Sequence, residues 1–337
     1  MSVARSSPRL SLFLRGIPEG CRLCMRGSKL VIFLTGVCPE GCFYCPISPS
    51  RMGRRLVFAD EERVEKLSEI LEEADAIGAE GASFTGGEPL LEPRRIEVVS
   101  RMLKDVYGDE FHIHLYTGGS LLSRSMLRWL SRLVDEVRVH PRSRAQWEHV
   151  VRLAEYRGLE GLDVSLGVEV PVIPGRGDEL VYWIRRLDSV GVDFVNLNEL
   201  EWAPHTATRL REMGFRLGDH GAVEGSWEEA VRVLGEVASS TRRIMVHYCS
   251  SLYKDRVQLR MRNYRKALRS RRGYEVEEVE GLVAFLEPGR PPIGFEDYCS
   301  IDLSRCWPCI GVEGCIVEAY PSRSRLPRVS VRCRGSG

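Results

Sequence analysis

Short apolar, β-branched runs alternate with helical patterns from about residue 29 to residue 200. KLVIFLTG (29–36), GASFTGG (81–87), FHIHLYT (111–117), EVRVHP (136–141), LDVSLGVEVPVI (162–173) and VDFVNLNEL (192–200) read as strands. Between the first two, Val64, Leu67, Leu71 and Ala74 recur at helical spacing, with Asp60 placed as the N-cap and acidic residues in the first turn. The next connection puts Ile96, Val99, Leu103 and Val106 on one face. Later strand starts recur every 25 to 30 residues, the length of a βα unit.

This alternation predicts an α/β fold with a parallel sheet and right-handed crossovers, and six such units predict a partial (β/α)6 TIM-like barrel. Chemistry in such folds gathers in the loops that follow the strand C-termini. Beyond residue 200 the pattern loosens into a helix at 226–240, a strand at 242–249 and a basic helix at 254–272 with nine Lys/Arg against one acid. A short-stranded tail rich in Pro and Cys follows from 273. The expected division is an N-terminal extension (1–28), the barrel (29–250), and a basic helix with a cysteine-rich extension (251–337).

Composition refines this picture only slightly. The 337 residues are 43% hydrophobic and 28% charged with a net charge of +1, so charge alone predicts neither a nucleic-acid nor a membrane partner. Apolar runs such as 30–34 fall far short of the roughly 20 residues of a membrane helix, and MSVARSSPRL lacks a signal-peptide core, so a cytoplasmic protein is expected. Eleven cysteines in a reducing compartment are expected to be metal ligands or reactive thiols rather than disulfides.

Three of them carry the first chemical signal. Cys38, Cys42 and Cys45 in TGVCPEGCFYC form a C-x3-C-x2-C array directly after the first strand. Three thiolates from one loop can hold a four-iron cluster with one iron left for a substrate or cofactor, whereas electron-transfer clusters are normally closed by four protein ligands. A zinc site completed by a fourth ligand uses the same thiols but leaves TGGEPLL (85–91), at the end of the next strand, unexplained. Alone, that second segment reads as a turn before a proline-started helix.

Together the two segments resemble the radical S-adenosylmethionine (SAM) superfamily, in which CPEGCFYC matches the CxxxCxφC signature and TGGEP the GGE motif. The resemblance covers about residues 29–200 and looks strongest to proteins related to pyruvate formate-lyase activating enzyme. It implies that Cys38, Cys42 and Cys45 ligate a 4Fe-4S cluster whose open iron takes the amino and carboxylate groups of SAM. It further implies that an electron from a reductant such as ferredoxin or flavodoxin releases a 5′-deoxyadenosyl radical, an anaerobic oxidoreductase chemistry that abstracts hydrogen from a substrate. By the same resemblance Tyr44 lies against the adenine, Gly86 and Gly87 approach the methionine end, and Glu88 holds its ammonium. PVIPG (171–175), with Ile173, contacts the adenine, and Glu169 and Asn198 offer polar contacts.

Other residues read more modestly. His112 and His114 share one strand face and are expected to be satisfied interior or helix-facing side chains, and Tyr116 to Gly119 an ordinary turn. Cys299, Cys306, Cys309 and Cys315 suffice for an auxiliary iron-sulfur cluster or a zinc site. Their Cx2Cx5C part resembles the SPASM and twitch extensions of radical SAM enzymes that act on peptides and proteins, although Ala319 stands where the next cysteine belongs. Cys21 and Cys24 are expected on the barrel face opposite the site unless the N-terminal segment doubles back; they pair with Cys306 and Cys309 in a zinc-ribbon-like alternative. Cys249 is a fourth ligand or a reactive thiol, and Cys333 is incidental.

The tail favours a protein or peptide substrate. The basic helix favours tRNA if Arg256, Arg260, Arg262 and Arg269 meet phosphates, and a structural role if its arginines pair with YEVEEVE. A metal-binding scaffold or electron carrier without enzymatic activity is the reading from a different class.

Overall fold

Period-two alternation separates a helix-facing side from a lumen-facing side in every parallel strand. In strand β3 (Lys29–Thr35), Leu30, Ile32 and Leu34 are fully buried in the core, while Lys29, Val31 and Phe33 occupy the other face. β7 (His112–Thr117) turns Ile113 and Leu115 to the helices and His112, His114 and Tyr116 inward. The computed structural model describes residues 4–7, 11–273, 275–278, 280–287, 315–323 and 328–333.

Seven strands run parallel in chain order: β3, β6 (Gly81–Gly86), β7, β8 (Glu136–Val139), β9 (Ser165–Val172), β10 (Phe194–Glu199) and β11 (Met245–Cys249). The six expected strands are all present, and β11 extends the sheet by one parallel strand. The sheet does not close. A hairpin of β1 (Ala4–Ser7) and β2 (Ser11–Leu14) adds antiparallel to β11, and β4 (Phe58–Ala59) with β5 (Glu62–Arg63) adds beyond β3. The result is a partial barrel with helices α2 (Ser68–Ile77), α3 (Pro93–Tyr107), α4 (Arg124–Leu130), α5 (Arg144–Glu160), α6 (Gly177–Ser189) and α8 (Ser226–Ser240) outside. Ser123 and Ser143 start α4 and α5 by accepting hydrogen bonds from the backbone N–H groups of Met126 and Gln146.

Several local expectations are corrected. Asp60 caps no helix: it sits at positive φ in the β4–β5 turn, where its buried carboxylate accepts the Val31 N–H and pairs with Arg262, and α2 starts at Ser68. The buried stripe of α2 is therefore Ile70, Ala74 and Ile77, and Leu67 is exposed. Val106, near the end of α3, is exposed as well. The 162–173 run pairs only from Ser165, because α5 extends to Glu160 and ends at Gly161 in the left-handed conformation.

The N-terminal segment stays at the barrel floor, so Cys21 and Cys24 enter from the end opposite the cysteine loop, as expected. After β2, helix α1 (Glu19–Met25) crosses the barrel floor, with Leu23 at the start of β6 and Gly20 against His114 and Arg138. On the open side of the barrel a helical run leads from the end of β11 down to the floor, where Arg262 lies against Gly27. The run consists of α9 (Ser251–Tyr253), a π-helical turn (Lys254–Leu259) and α10 (Arg260–Ser270). Its cations are largely spent on the barrel rather than on the segment after it: Arg262 pairs with Asp60 and Glu61, Lys266 with Glu73 and Arg265 with Glu80. Arg265 also donates to the carbonyls of Ile77 and Gly78. Arg260 pairs with Glu280 and Arg271 with Glu277 in the acidic stretch.

β12 (Val276–Glu277), β13 (Val283–Glu287), β14 (Cys315–Ala319) and β15 (Arg328–Cys333) form a separate antiparallel sheet, consistent with a short-stranded tail. Cys299, Cys306 and Cys309 lie outside the described residues. The backbone register sets Cys315 opposite Cys333.

Candidate active site

The loop after β3 is held at both ends by backbone. Gly36 N–H donates to Arg54 and Gly53 N–H to Gly36, while Gly87 N–H and Glu88 N–H donate to the carbonyls of Thr35 and Val37. That contact explains the paired glycines, because a Cβ on Gly87 would lie 2.2 Å from the Val37 carbonyl oxygen and one on Gly86, at φ 128°, 2.3 Å from that of Thr35. Glu88 then carries the bracing to the next strand top: its carboxylate accepts from Leu90 N–H, Gly118 N–H and the Thr117 hydroxyl. Three successive strand ends are thereby tied into one rim.

Cys38, Cys42 and Cys45 face a cavity of about 550 Å³ inside this rim. Burial pushes the Cys42 thiol up to about 11, with Cys45 and Cys38 adding to the shift, so the thiols sit close enough to repel as thiolates. Gly86, Gly87, Tyr44, Glu169 and Asn198 also line the cavity. Ile173 instead packs with Phe43, Tyr44 and Trp202 behind the cysteine loop, and the buried Glu88 stands one layer behind the wall. The turn at Tyr116 to Gly118 is part of the wall, and His114 faces the interior.

Several lining residues carried no sequence signal. The Tyr44 hydroxyl meets His140 Nε2 at 2.8 Å, and His140 Nδ1 meets the Glu169 carbonyl at 2.7 Å. The carbonyl can only accept, so Nδ1 carries the proton and Tyr44 donates to Nε2. Arg142 pairs with Glu40 and donates to its carbonyl, fixing the cysteine loop to the end of β8. Arg138 lies across the lumen, fully buried, donating to Glu136 at 2.5 Å and Glu169 at 2.7 Å, with its charge over Tyr116 and Phe194. Burial alone would raise Glu169, but Arg138 and the Asn198 amide outweigh it and hold the carboxylate below its usual range. The only advance hint of these residues was the polar half of each strand alternation.

Neutral imidazoles make the interior acid-sensitive. Burial, reinforced by Arg138, lowers His247 from 6.5 to about 4, and burial lowers His114, His140 and His112 in the same direction. A histidine depressed on folding contributes its full stability above about 6.5 and loses it as pH falls toward the folded value. His247 alone should cost about 3 kcal/mol over that interval. Urea unfolding between pH 7.5 and pH 4.5 should show this loss, with a shallower slope in His247→Gln; a flat profile would exclude it.

The residues fit the cluster and SAM on structural grounds: three thiols lining one cavity, a bare-backbone turn beside them, and the polar side chains of Glu169 and Asn198 on the wall. The family model described as the Radical SAM superfamily matches residues 32–181, from β3 into α6. A Methanocaldococcus jannaschii protein named as a glycyl-radical enzyme activating enzyme is 34% identical over 275 residues, spanning 79% of this chain and 72% of that one. Among solved structures, SuiB of Streptococcus suis bound to S-adenosylmethionine matches at 13% identity and a TM-score of 0.44, over 68% of this chain and 53% of that one. The methyltransferase TsrM of Kitasatospora setae matches at 16% identity and a TM-score of 0.39, over 58% and 41%. The chain thus spans about half the length of these solved structures. With a curated relative of this identity and coverage, the chain belongs to the radical SAM superfamily, in the group related to pyruvate formate-lyase activating enzyme, and is an enzyme.

Proposed function

We propose that Cys38, Cys42 and Cys45 hold a 4Fe-4S cluster at the rim of the lumen, that SAM binds between the Gly86–Gly87 turn and Tyr44, and that the substrate is a segment of another protein. The single observation that carries this reading is the convergence of the three thiols and the glycine turn on one cavity of about 550 Å³. Cluster and SAM, reduced by a ferredoxin- or flavodoxin-like donor, would supply a 5′-deoxyadenosyl radical and methionine.

The protein's own residues do the positioning. Gly86 and Gly87 present backbone polar groups to the amino-acid end of SAM, and Glu88 acts through the Thr117 and Gly118 groups it holds. The Tyr44–His140–Glu169 chain keeps the tyrosine ring at the wall, while Phe43, Ile173, Trp202 and Leu200 exclude water behind it. Glu169 and Asn198 offer a carboxylate and an amide already oriented by their mutual hydrogen bond of 2.9 Å. A protein substrate is favoured by the activating-enzyme name of the relative, and by the basic helix spending Arg262, Arg265 and Lys266 inside the molecule rather than on phosphates. Among the described residues no helix is long and apolar enough to cross a membrane.

The deciding experiment is anaerobic reconstitution of the full chain with iron and sulfide, reduction with dithionite and incubation with SAM. Equal amounts of 5′-deoxyadenosine and methionine are expected. An assembled cluster that leaves SAM intact would overturn the reading.

A further inference from the structure

Helix α1 brings two more thiols into the same lumen from the floor. Cys21 is buried and held by the Arg138 guanidinium at 3.3 Å and by the Asn196 side-chain oxygen at 3.7 Å. Cys24, one turn later, donates to Gln258 Oε1 at 3.0 Å, and Gln258 Nε2 donates in turn to the sulfur of Cys249 at 3.2 Å. Cys249 is the buried last residue of β11, and Gln258 belongs to the π-helical turn, a form of helix often retained at functional sites. All three thiols line the cavity, as does Lys29, a residue 7% exposed whose side chain has no hydrogen-bond or ion-pair partner among the described residues. An unpaired buried ammonium is costly unless an anion shares its site.

We propose that Cys21, Cys24 and Cys249 bind a second iron-sulfur cluster inside the barrel, with Lys29 balancing its negative charge. The spacing argues for a cluster rather than a single ion. Zinc draws every sulfur to about 2.3 Å of one centre, whereas here an amide stands between Cys24 and Cys249. Among the described residues, the only His, Cys, Asp or Glu trio with all ligand atoms within 4.8 Å is Asp60, Glu61 and Glu73, already paired with Arg262 and Lys266. Cluster binding turns the Gln258 amide aside and releases three thiol protons, because thiolates are the ligands. A four-iron cluster held by three protein ligands would keep one iron open to a substrate oxygen or nitrogen.

The test compares two full-length variants after anaerobic reconstitution with iron and sulfide. Cys38→Ala/Cys42→Ala/Cys45→Ala should retain iron and an S = 1/2 EPR signal after reduction, and adding Cys21→Ala/Cys24→Ala/Cys249→Ala should remove about four irons per chain with that signal. Equal iron in both variants, or bound zinc in place of iron, would overturn the proposal. Cys24→Ala alone guards against misfolding, since Cys24 is only partly buried. It should lose the second cluster while its urea unfolding midpoint and the SAM-sensitive EPR signal of the first cluster persist. That persistence also separates failure here from failure of the proposed SAM chemistry.

Discussion

Cys42→Ala is expected to lose 5′-deoxyadenosine formation by at least about a thousandfold while the protein stays folded. The thiol sits in a loop whose ends are fixed by backbone hydrogen bonds from Gly36, Gly53, Gly87 and Glu88, none of which involves the Cys42 side chain. Its removal therefore leaves the rim intact. What it removes is one of the three thiols that line the rim among the described residues, and a cluster held there would keep only two protein ligands. Iron bound after reconstitution should fall by about four per chain relative to the unmodified protein. Full iron together with undiminished SAM cleavage in Cys42→Ala would remove the cysteine loop from the mechanism.

Arg138→Met is expected to lower the free energy of unfolding by about 3–5 kcal/mol, since breaking a buried ion pair strands its partners. Both Glu136 and Glu169 depend on this guanidinium: Glu136 is 2% exposed, and Glu169, 14% exposed on the cavity wall, keeps only the Asn198 amide as a side-chain donor among the described residues. The methionine fills much of the volume but supplies no charge, and Cys21 also loses its strongest donor. Adding Glu136→Gln and Glu169→Gln should recover part of the loss, because two uncompensated charges then become neutral amides. Urea denaturation of the single and triple variants measures both effects. A change below about 1 kcal/mol in Arg138→Met would mean that the lumen is wet enough to solvate the carboxylates.

Much of the barrel was legible because alternation and βα spacing are local properties. Leu30, Ile32 and Leu34 announce a strand whatever surrounds them. The cysteine loop and the glycine turn were legible because their chemistry needs particular residues at fixed spacing. Asp60 was misplaced since a carboxylate before acidic residues looks like a helix cap, and nothing nearby in sequence reveals that Val31 and Arg262 draw it into a turn. The interior network was illegible for the same reason: Arg138, His140 and Gln258 acquire roles only through partners brought close by the sheet and the closing helix. The polar half of each strand was the available hint. A barrel filled for stability places branched apolar side chains there, so His114, Arg138, Glu169, Asn196 and His247 on successive strands signal a chamber.

The way the barrel is closed gives it one side of different construction. Six of the sheet's inter-strand junctions are parallel backbone ladders, each needing a strand to unzip before the wall can part. On the open side of the sheet the wall is the run from Ser251 to Ser270, fastened through side chains: Gln258 to Cys249, Arg262 to Asp60, Lys266 to Glu73. That fastening works like a row of latches: parting the wall here means separating the buried pairs Arg262–Asp60 and Lys266–Glu73, and leaves the sheet intact.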